Sequence, residues 1–276
     1  MLPNLVIIGT AKGGTTSIYH YLDAHPEIAM ARPKGMRFFM DDGHWHRGQA
    51  WYESHFDTPA PVRGEASASY TGWPIHPNVP ERIAAMLPDA KLVYLVRDPI
   101  ERIVADYFHA FREHGDTRPF LETVLPFEES LLVARSRYAT QLERYLALFP
   151  REQILVVDTA EMGSRTAETM ATIYRFLGVA DDFRSPIFDE RFNTRKRRVV
   201  RNRAGERVAR SLAAGLGEAR AERVRASVPE LLHKPFVARV RAEFPPRVRA
   251  DLVDYLRPEV ERLRELTGLP LASWSI

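Results

Sequence analysis

Gly9-Thr10-Ala11-Lys12-Gly13-Gly14-Thr15-Thr16-Ser17 stands between an apolar run, Leu5-Val6-Ile7-Ile8, and a helix-like stretch, Ser17-Ile18-Tyr19-His20-Tyr21-Leu22. Strand, glycine-rich turn and helix, in that order, is the layout of a phosphate-binding loop. Glycines let the backbone turn tightly, and the N–H groups at the helix start point at an anion. A nucleoside-triphosphate loop reads G-x-x-x-x-G-K-[ST]. Gly9 and Gly14 keep that separation, but Thr15 occupies the lysine position and Lys12 lies in mid-turn. A lysine there sits inside the cradle, where it can neutralise charge growing on a leaving phosphate oxygen. Magnesium-dependent ATP chemistry would also require an acid at a strand end. The apolar run that ends that way, Val156-Val157-Asp158, comes late in the chain. A nucleotide kinase is therefore the weaker alternative.

Four segments read as buried parallel strands: Leu5–Ile8, Val62–Ala66, Lys91–Val96 and Gln153–Val157. Helical patterns cover Thr16–His25, Pro80–Leu87, Ile100–His114, Phe127–Phe149 and Thr159–Leu177, with Gly178 as a helix cap. This alternation predicts an α/β fold, a doubly wound and mostly parallel sheet flanked by helices, with ligand at the carboxyl ends of the strands. Residues Ala31–Pro61 read as a long connection rich in Pro, Gly, Asp, His and Trp. Beyond Asp181 the pattern turns irregular and basic, with amphipathic helix candidates at Ala204–Arg225 and Pro246–Thr267. The expected organisation is one domain over 1–276: an α/β nucleotide-binding core over 1–180, then a basic segment and C-terminal helices over 181–276.

The composition is that of an ordinary globular chain of 276 residues, 45% hydrophobic and 27% charged. Cysteine is absent, which excludes disulfides and thiolate metal sites and fits a reducing compartment. The N-terminal residues lack a basic leader, and no apolar run is long enough to span a bilayer. A cytoplasmic enzyme without a membrane span is the expectation. Net charge is +3, yet Arg191 to Arg225 holds twelve Arg and Lys against three Glu. Such a patch serves polyanions, anionic ligands or a solvated helix face. Nucleic acid is disfavoured, because aromatics are not interleaved through the basic residues, Phe192 alone standing among them, and no known binding motif is present there.

The second constellation is Leu92-Val93-Tyr94-Leu95-Val96-Arg97-Asp98-Pro99-Ile100-Glu101-Arg102. Arg97 falls at the carboxyl end of a strand, where its planar fork can bind phosphate. It can equally pair with Asp98 or Glu101 in a helix-start network. Asp98-Pro99 opens the helix, with proline at its first position.

A strand followed by G-x-x-K-G-G-T-T-S, and later a strand ending R-D-P-x-E-R, resembles the sulfotransferases that use 3′-phosphoadenosine 5′-phosphosulfate (PAPS), in their bacterial and heparan-sulfate-type branch. Gly64-Glu65-Ala66-Ser67-Ala68-Ser69-Tyr70 is similar to the family's G-E-x-S-P-x-Y stretch, with Ala68 in place of proline. Tyr138 with Leu142, then Phe149-Pro150 through Gln153-Ile154, is similar to Y-x-x-x-L…F-P-x-x-Q-I. Phe192-Asn193-Thr194-Arg195-Lys196 resembles F-N-x-x-K, and Leu266-Thr267-Gly268-Leu269 with Trp274 resembles the C-terminal tail.

The resemblance implies roles. Lys12, Gly13, Gly14, Thr15, Thr16 and Ser17 would hold the 5′-phosphosulfate. Arg97 would bind the 3′-phosphate, and Lys196 with Arg197 or Arg198 would close over the donor. PAPS would be the donor, adenosine 3′,5′-bisphosphate (PAP) the product, and no metal would be needed. The acceptor would be a hydroxyl or amine of a small molecule or saccharide. Trp73 and Tyr138 are aromatic candidates near the adenine, though core packing is the simpler expectation for each.

Two positions depart from the family. Its P-K-E-x-x-F-F stretch supplies a glutamate base, but here Pro33-Lys34-Gly35-Met36-Arg37-Phe38-Phe39 has Gly35 at that place. A serine eight residues after the R-D-P arginine contacts the 3′-phosphate in the family; here it is Ala105. Substitute bases are Glu65, Asp41, Asp42 and His20, of which Glu65, at a strand end, is taken with Lys12 as the catalytic pair. An impaired homologue that binds the nucleotide as a regulatory module is the alternative. Asp41-Asp42-Gly43-His44-Trp45-His46 contains metal-ligand letters, which polar loops also assemble by chance.

Overall fold

The computed structural model describes residues 1–111, 116, 118–190, 192 and 242–276. Five parallel strands form one sheet in the order β2-β3-β1-β4-β5: β1 Leu5–Gly9, β2 Ile28–Met30, β3 Val62–Ala66, β4 Lys91–Val96 and β5 Ile154–Asp158. The first strand lies at the centre and all five residues of β1 are buried. Its neighbours are set by Leu5 opposite Gly64 on one side and Lys91 on the other.

Side chains alternate across the sheet, as the two-residue period of a strand requires. Val6, Ile8, Leu92, Tyr94, Val96, Ile154 and Val156 face one core layer. Against it pack helices α3 Val79–Met86 and α7 Tyr138–Leu146, and the lower half of α10 Pro246–Thr267. Leu5, Ile7, Val93, Leu95 and Val157 face the other layer, under α1 Thr15–Asp23, α8 Thr159–Ser164 and α9 Thr166–Leu177. Helices on both faces make the sheet doubly wound, as the alternation predicts. A third cluster joins α4 Pro99–His109, α5 Phe120–Val124 and α6 Leu131–Ala134 to Leu252 and Leu256 of α10.

Several elements differ from the sequence reading. The three-residue edge strand β2 is too short to leave a periodic signal. Ala31–Pro61 is not a loose connection: Met36, Phe38, Phe39 and Met40 are buried, and the segment includes a short helix, α2 Gly48–Glu53. The single helix expected over Phe127–Phe149 is split into α6 and α7. Arg102 Nη2 and Ser136 Oγ both donate to the Leu132 carbonyl, which draws that oxygen out of a continuing ladder. Thr159–Leu177 is likewise two helices, broken at Arg165 after Gly163-Ser164. Gly178 does cap α9 in the left-handed conformation, and α10 spans Pro246–Thr267 as expected. Ala204–Arg225 lies outside the described residues. No described helix is long and apolar enough to cross a membrane.

Candidate active site

Strand β1 ends where its register with β4 slips between Ile7 and Gly9, and the loop leaves the sheet there. Thr10 N still donates to Leu95 O (2.9 Å), so the loop starts anchored to β4. Gly13 N closes a tight turn onto Thr10 O (2.9 Å). A Cβ on Gly13 would lie 2.6 Å from Thr10 Cγ2 and 3.1 Å from Thr10 O, so the turn admits no side chain there. Thr159 Oγ1 sits 2.8 Å from both Gly13 O and Val96 O, which ties the loop to the start of α8.

Gly14, at φ +88°, is the N-cap of α1, where no side chain caps the helix and no acid lies in the first turn. Its first N–H groups therefore face the cleft as anion donors. Lys12, with φ +68°, holds a backbone conformation that L-residues rarely adopt.

The loop floors a cleft of about 1570 Å³ at the carboxyl edge of the sheet, lined on this side by Lys12, Gly14, Thr15, Thr16 and Ser17. Arg97 and Ala105 line it from β4 and α4. Arg97 makes the helix-start pairing anticipated for it and also borders the cleft. Its Nε donates to Glu101 (3.2 Å), and its Nη1 donates to Lys12 O (3.4 Å).

Lys34 is the residue the sequence reading passed over. It lies in the same cleft, with Nζ donating to Thr15 Oγ1 at 3.4 Å. Burial lowers its ammonium pKa below the ordinary lysine range, and the charge of Lys12 lowers it further. Two lysines lining one cleft beside an uncapped helix start make a cradle suited to an anionic phosphate group. The clue was the Pro33-Lys34 pair, which drew notice only for the glycine that follows. Gly35 takes φ +79° at that place, with Ala66 O 4.0 Å from where a Cβ would stand.

Arg102 is a second residue beneath the site. It is wholly buried, donates to Ser136 Oγ (2.6 Å) and Asp106 Oδ2 (3.1 Å), and reaches Ala11 O at 3.5 Å. It thus supports the underside of the phosphate loop from α4.

The candidate bases are placed as follows. Glu65 is fully buried and does not line the cleft. Tyr52 and Tyr70 donate to its Oε1 (2.9 and 2.7 Å), and Ser67 donates to its Oε2 (3.0 Å). Burial raises its carboxyl to about 7 against the pull of those hydrogen bonds. Asp41 pairs with Arg82, and Asp42 with Arg37 at 2.6 Å. His20 stacks on Phe192, ring centres 4.3 Å apart. The described carboxylates that do line the cleft are Glu168, Asp189 and Glu243. Tyr138 packs against Trp274 in the core, and neither Tyr138 nor Trp73 lines the cleft. Lys196, Arg197 and Arg198 lie outside the described residues. Among the described residues no group of three or more His, Asp or Glu is set to hold a metal ion.

The family model described as Sulfotransferase domain matches residues 2–211. Human bifunctional heparan sulfate N-deacetylase/N-sulfotransferase 2 is 32% identical over 199 residues, which is 64% of this chain and 22% of that protein. The corresponding mouse enzyme 1 is 33% identical over 198 residues, with the same shares. The chain thus spans about a fifth of the length (22%) of the curated relatives it matches. A solved sulfotransferase from Alicyclobacillus acidocaldarius superposes with a TM-score of 0.71 at 25% identity and 100% coverage of both chains. Mouse sulfotransferase SULT7A1, solved in complex with PAP, gives a TM-score of 0.50 at 14% identity over 94% of this chain and 88% of its own, a likeness of fold. With its glycine-rich loop on the central strand and a family match running from residue 2 to residue 211, this chain belongs to the sulfotransferase family.

Proposed function

We propose that the protein transfers a sulfuryl group from PAPS to a hydroxyl or amine on a saccharide or small-molecule acceptor. The observation that carries this reading is the placement of Lys12 and Lys34 in one cleft at the uncapped start of α1, with Lys34 on Thr15. The names of the relatives, N-sulfotransferases of heparan sulfate, favour a saccharide, and the PAP complex of the mouse enzyme favours this donor.

When bound, the donor supplies a sulfuryl group on a phosphate leaving group. Gly14, Thr15 and Thr16 would hold the 5′-phosphosulfate by their N–H groups, with the Thr16 and Ser17 hydroxyls beside them. Lys12 and Lys34 would oppose the negative charge that builds on the bridging oxygen as the S–O bond breaks. Arg97, oriented by Glu101, would take the 3′-phosphate. Lys196, Arg197 and Arg198 would cover the donor from the basic segment. Metal would not be needed, since the lysines meet the charge.

PAP should raise the melting temperature, by binding the folded state alone, while ADP with magnesium should do so much less. Equal stabilisation by both would overturn the choice of donor. Lys12→Ala should abolish transfer and the PAP shift together, read by calorimetry and labelled-sulfate transfer.

Gly35 supports a second reading, a homologue that binds the nucleotide and turns over slowly or not at all. Loss of a general base typically slows an enzyme by about 10²–10⁴-fold. Transfer of labelled sulfate to any member of a broad hydroxyl, phenol and amine panel at ordinary enzyme rates would remove this reading.

A further inference from the structure

Glu65 stands apart from the cleft, yet both its oxygens are engaged. A hydroxyl has one proton to give. Ser67 and Tyr70 give theirs to Glu65, at 3.0 and 2.7 Å, so their oxygens can only accept from elsewhere. Ser67 Oγ accepts from Arg37 N (2.9 Å), and Tyr70 Oη accepts from Phe39 N (3.4 Å). The third donor, Tyr52, stacks its ring on Phe38, centres 4.2 Å apart and planes at 11°. All three partners of one carboxylate therefore grip the residues 37–39. That stretch needs gripping, because Arg37 sits at φ +52°, an unfavourable backbone conformation for a residue with a side chain. Lys34, three residues earlier on the same strap, reaches Thr15 of the phosphate loop.

We propose that Glu65 is a positioning residue for Lys34: by taking the Ser67 and Tyr70 protons it turns their lone pairs onto the Arg37 and Phe39 N–H groups and fixes the strap that lays Lys34 on the phosphate loop. This rests on the reading of that loop as the donor site. Glu65 then acts on catalysis through backbone hydrogen bonds, and no proton passes to it from the acceptor.

A double-mutant cycle tests it, with PAP affinity measured by calorimetry on the whole chain and melting curves for each variant. Lys34→Ala should weaken PAP about tenfold or more, as loss of a charged hydrogen bond does. Ser67→Ala and Glu65→Gln should each weaken it several-fold in the parent. In the Lys34→Ala background the same changes should have no further effect, because the residue they act through is gone. If they weaken binding by the same factor with or without Lys34, or leave the parent's affinity unchanged, Glu65 does not position Lys34. Should Glu65→Gln fail to fold, Ser67→Ala and Tyr70→Phe each delete a single hydroxyl and decide the matter. A parent that binds no PAP at all would overturn the donor reading, and the positioning role with it.

Discussion

Burial raises the Glu65 carboxyl from an ordinary 4.5 to about 7, so its charge has a thermodynamic consequence whatever its role in transfer. The unfolded chain releases this proton near 4.5, and the folded chain keeps it until about 7. Between those values the folded state binds more protons, so stability falls as pH rises, by about 3 kcal/mol at most. Melting temperature should drop from pH 5 to pH 7 in the parent, and Glu65→Gln should flatten that slope. Gly35 presents the opposite case, a missing carboxylate at a backbone position of φ +79°. Any side chain there strains the backbone by about 1–2 kcal/mol. Gly35→Glu should melt earlier than the parent yet raise turnover if the glycine is the defect, and Gly35→Ala should share the loss without the gain. The sequence pointed to both residues. It did not tell a sealed carboxylate from one facing the cleft, because Val62–Ala66 pattern alike in either case.

At the scale of elements, loop and helix α4 act together. Gly13→Ala would drive a methyl onto Thr10 Cγ2 and toward the Thr10 carbonyl. It should abolish PAP binding while costing about 1–3 kcal/mol of stability, the usual effect of overpacking. Arg102 joins α4 to Ala11, to Ser136 and to Asp106. Burial pushes the Asp106 carboxyl up, but Arg102 and Arg135 outweigh it and hold it below the ordinary range. Arg102→Met should cost about 3–5 kcal/mol in a urea titration, since it leaves a buried carboxylate with one partner fewer. The same guanidinium explains why one expected helix became α6 and α7. Helical periodicity records which faces are apolar and is blind to an arginine 30 residues away that takes the carbonyl of Leu132.

At the scale of the molecule, the last residues close the fold. Trp274 Nε1 donates to Asp158 Oδ1 (3.3 Å) and Ser275 N donates to Asp98 Oδ2, so two neighbouring strand ends share one strap. Both aspartates also cap helices, Asp98 for α4 and Asp158 for α8. Asp98 directly follows Arg97. Removing the Trp274 indole should cost about 3–5 kcal/mol by cavity formation, and it should loosen the β4 end that carries Arg97. Trp274→Ala is therefore expected to lower both melting temperature and PAP affinity, the two read in one thermal-shift series. The tail motif was legible in the sequence, but its partners were not.

The sequence by itself determined the phosphate loop, four of the five strands and the family. Those signals are local: glycine and lysine spacing within nine residues, and, for three of the four strands, short runs rich in Val, Ile and Leu. The tertiary structure decided that Lys34 stands beside Lys12, that Arg102 supports the loop from below, and that Glu65 is sealed behind Tyr52, Tyr70 and Ser67. The Lys34 and Arg102 contacts join segments brought together by the order β2-β3-β1-β4-β5. That order is a property of how the strands pack on one another, and no single stretch of chain encodes it.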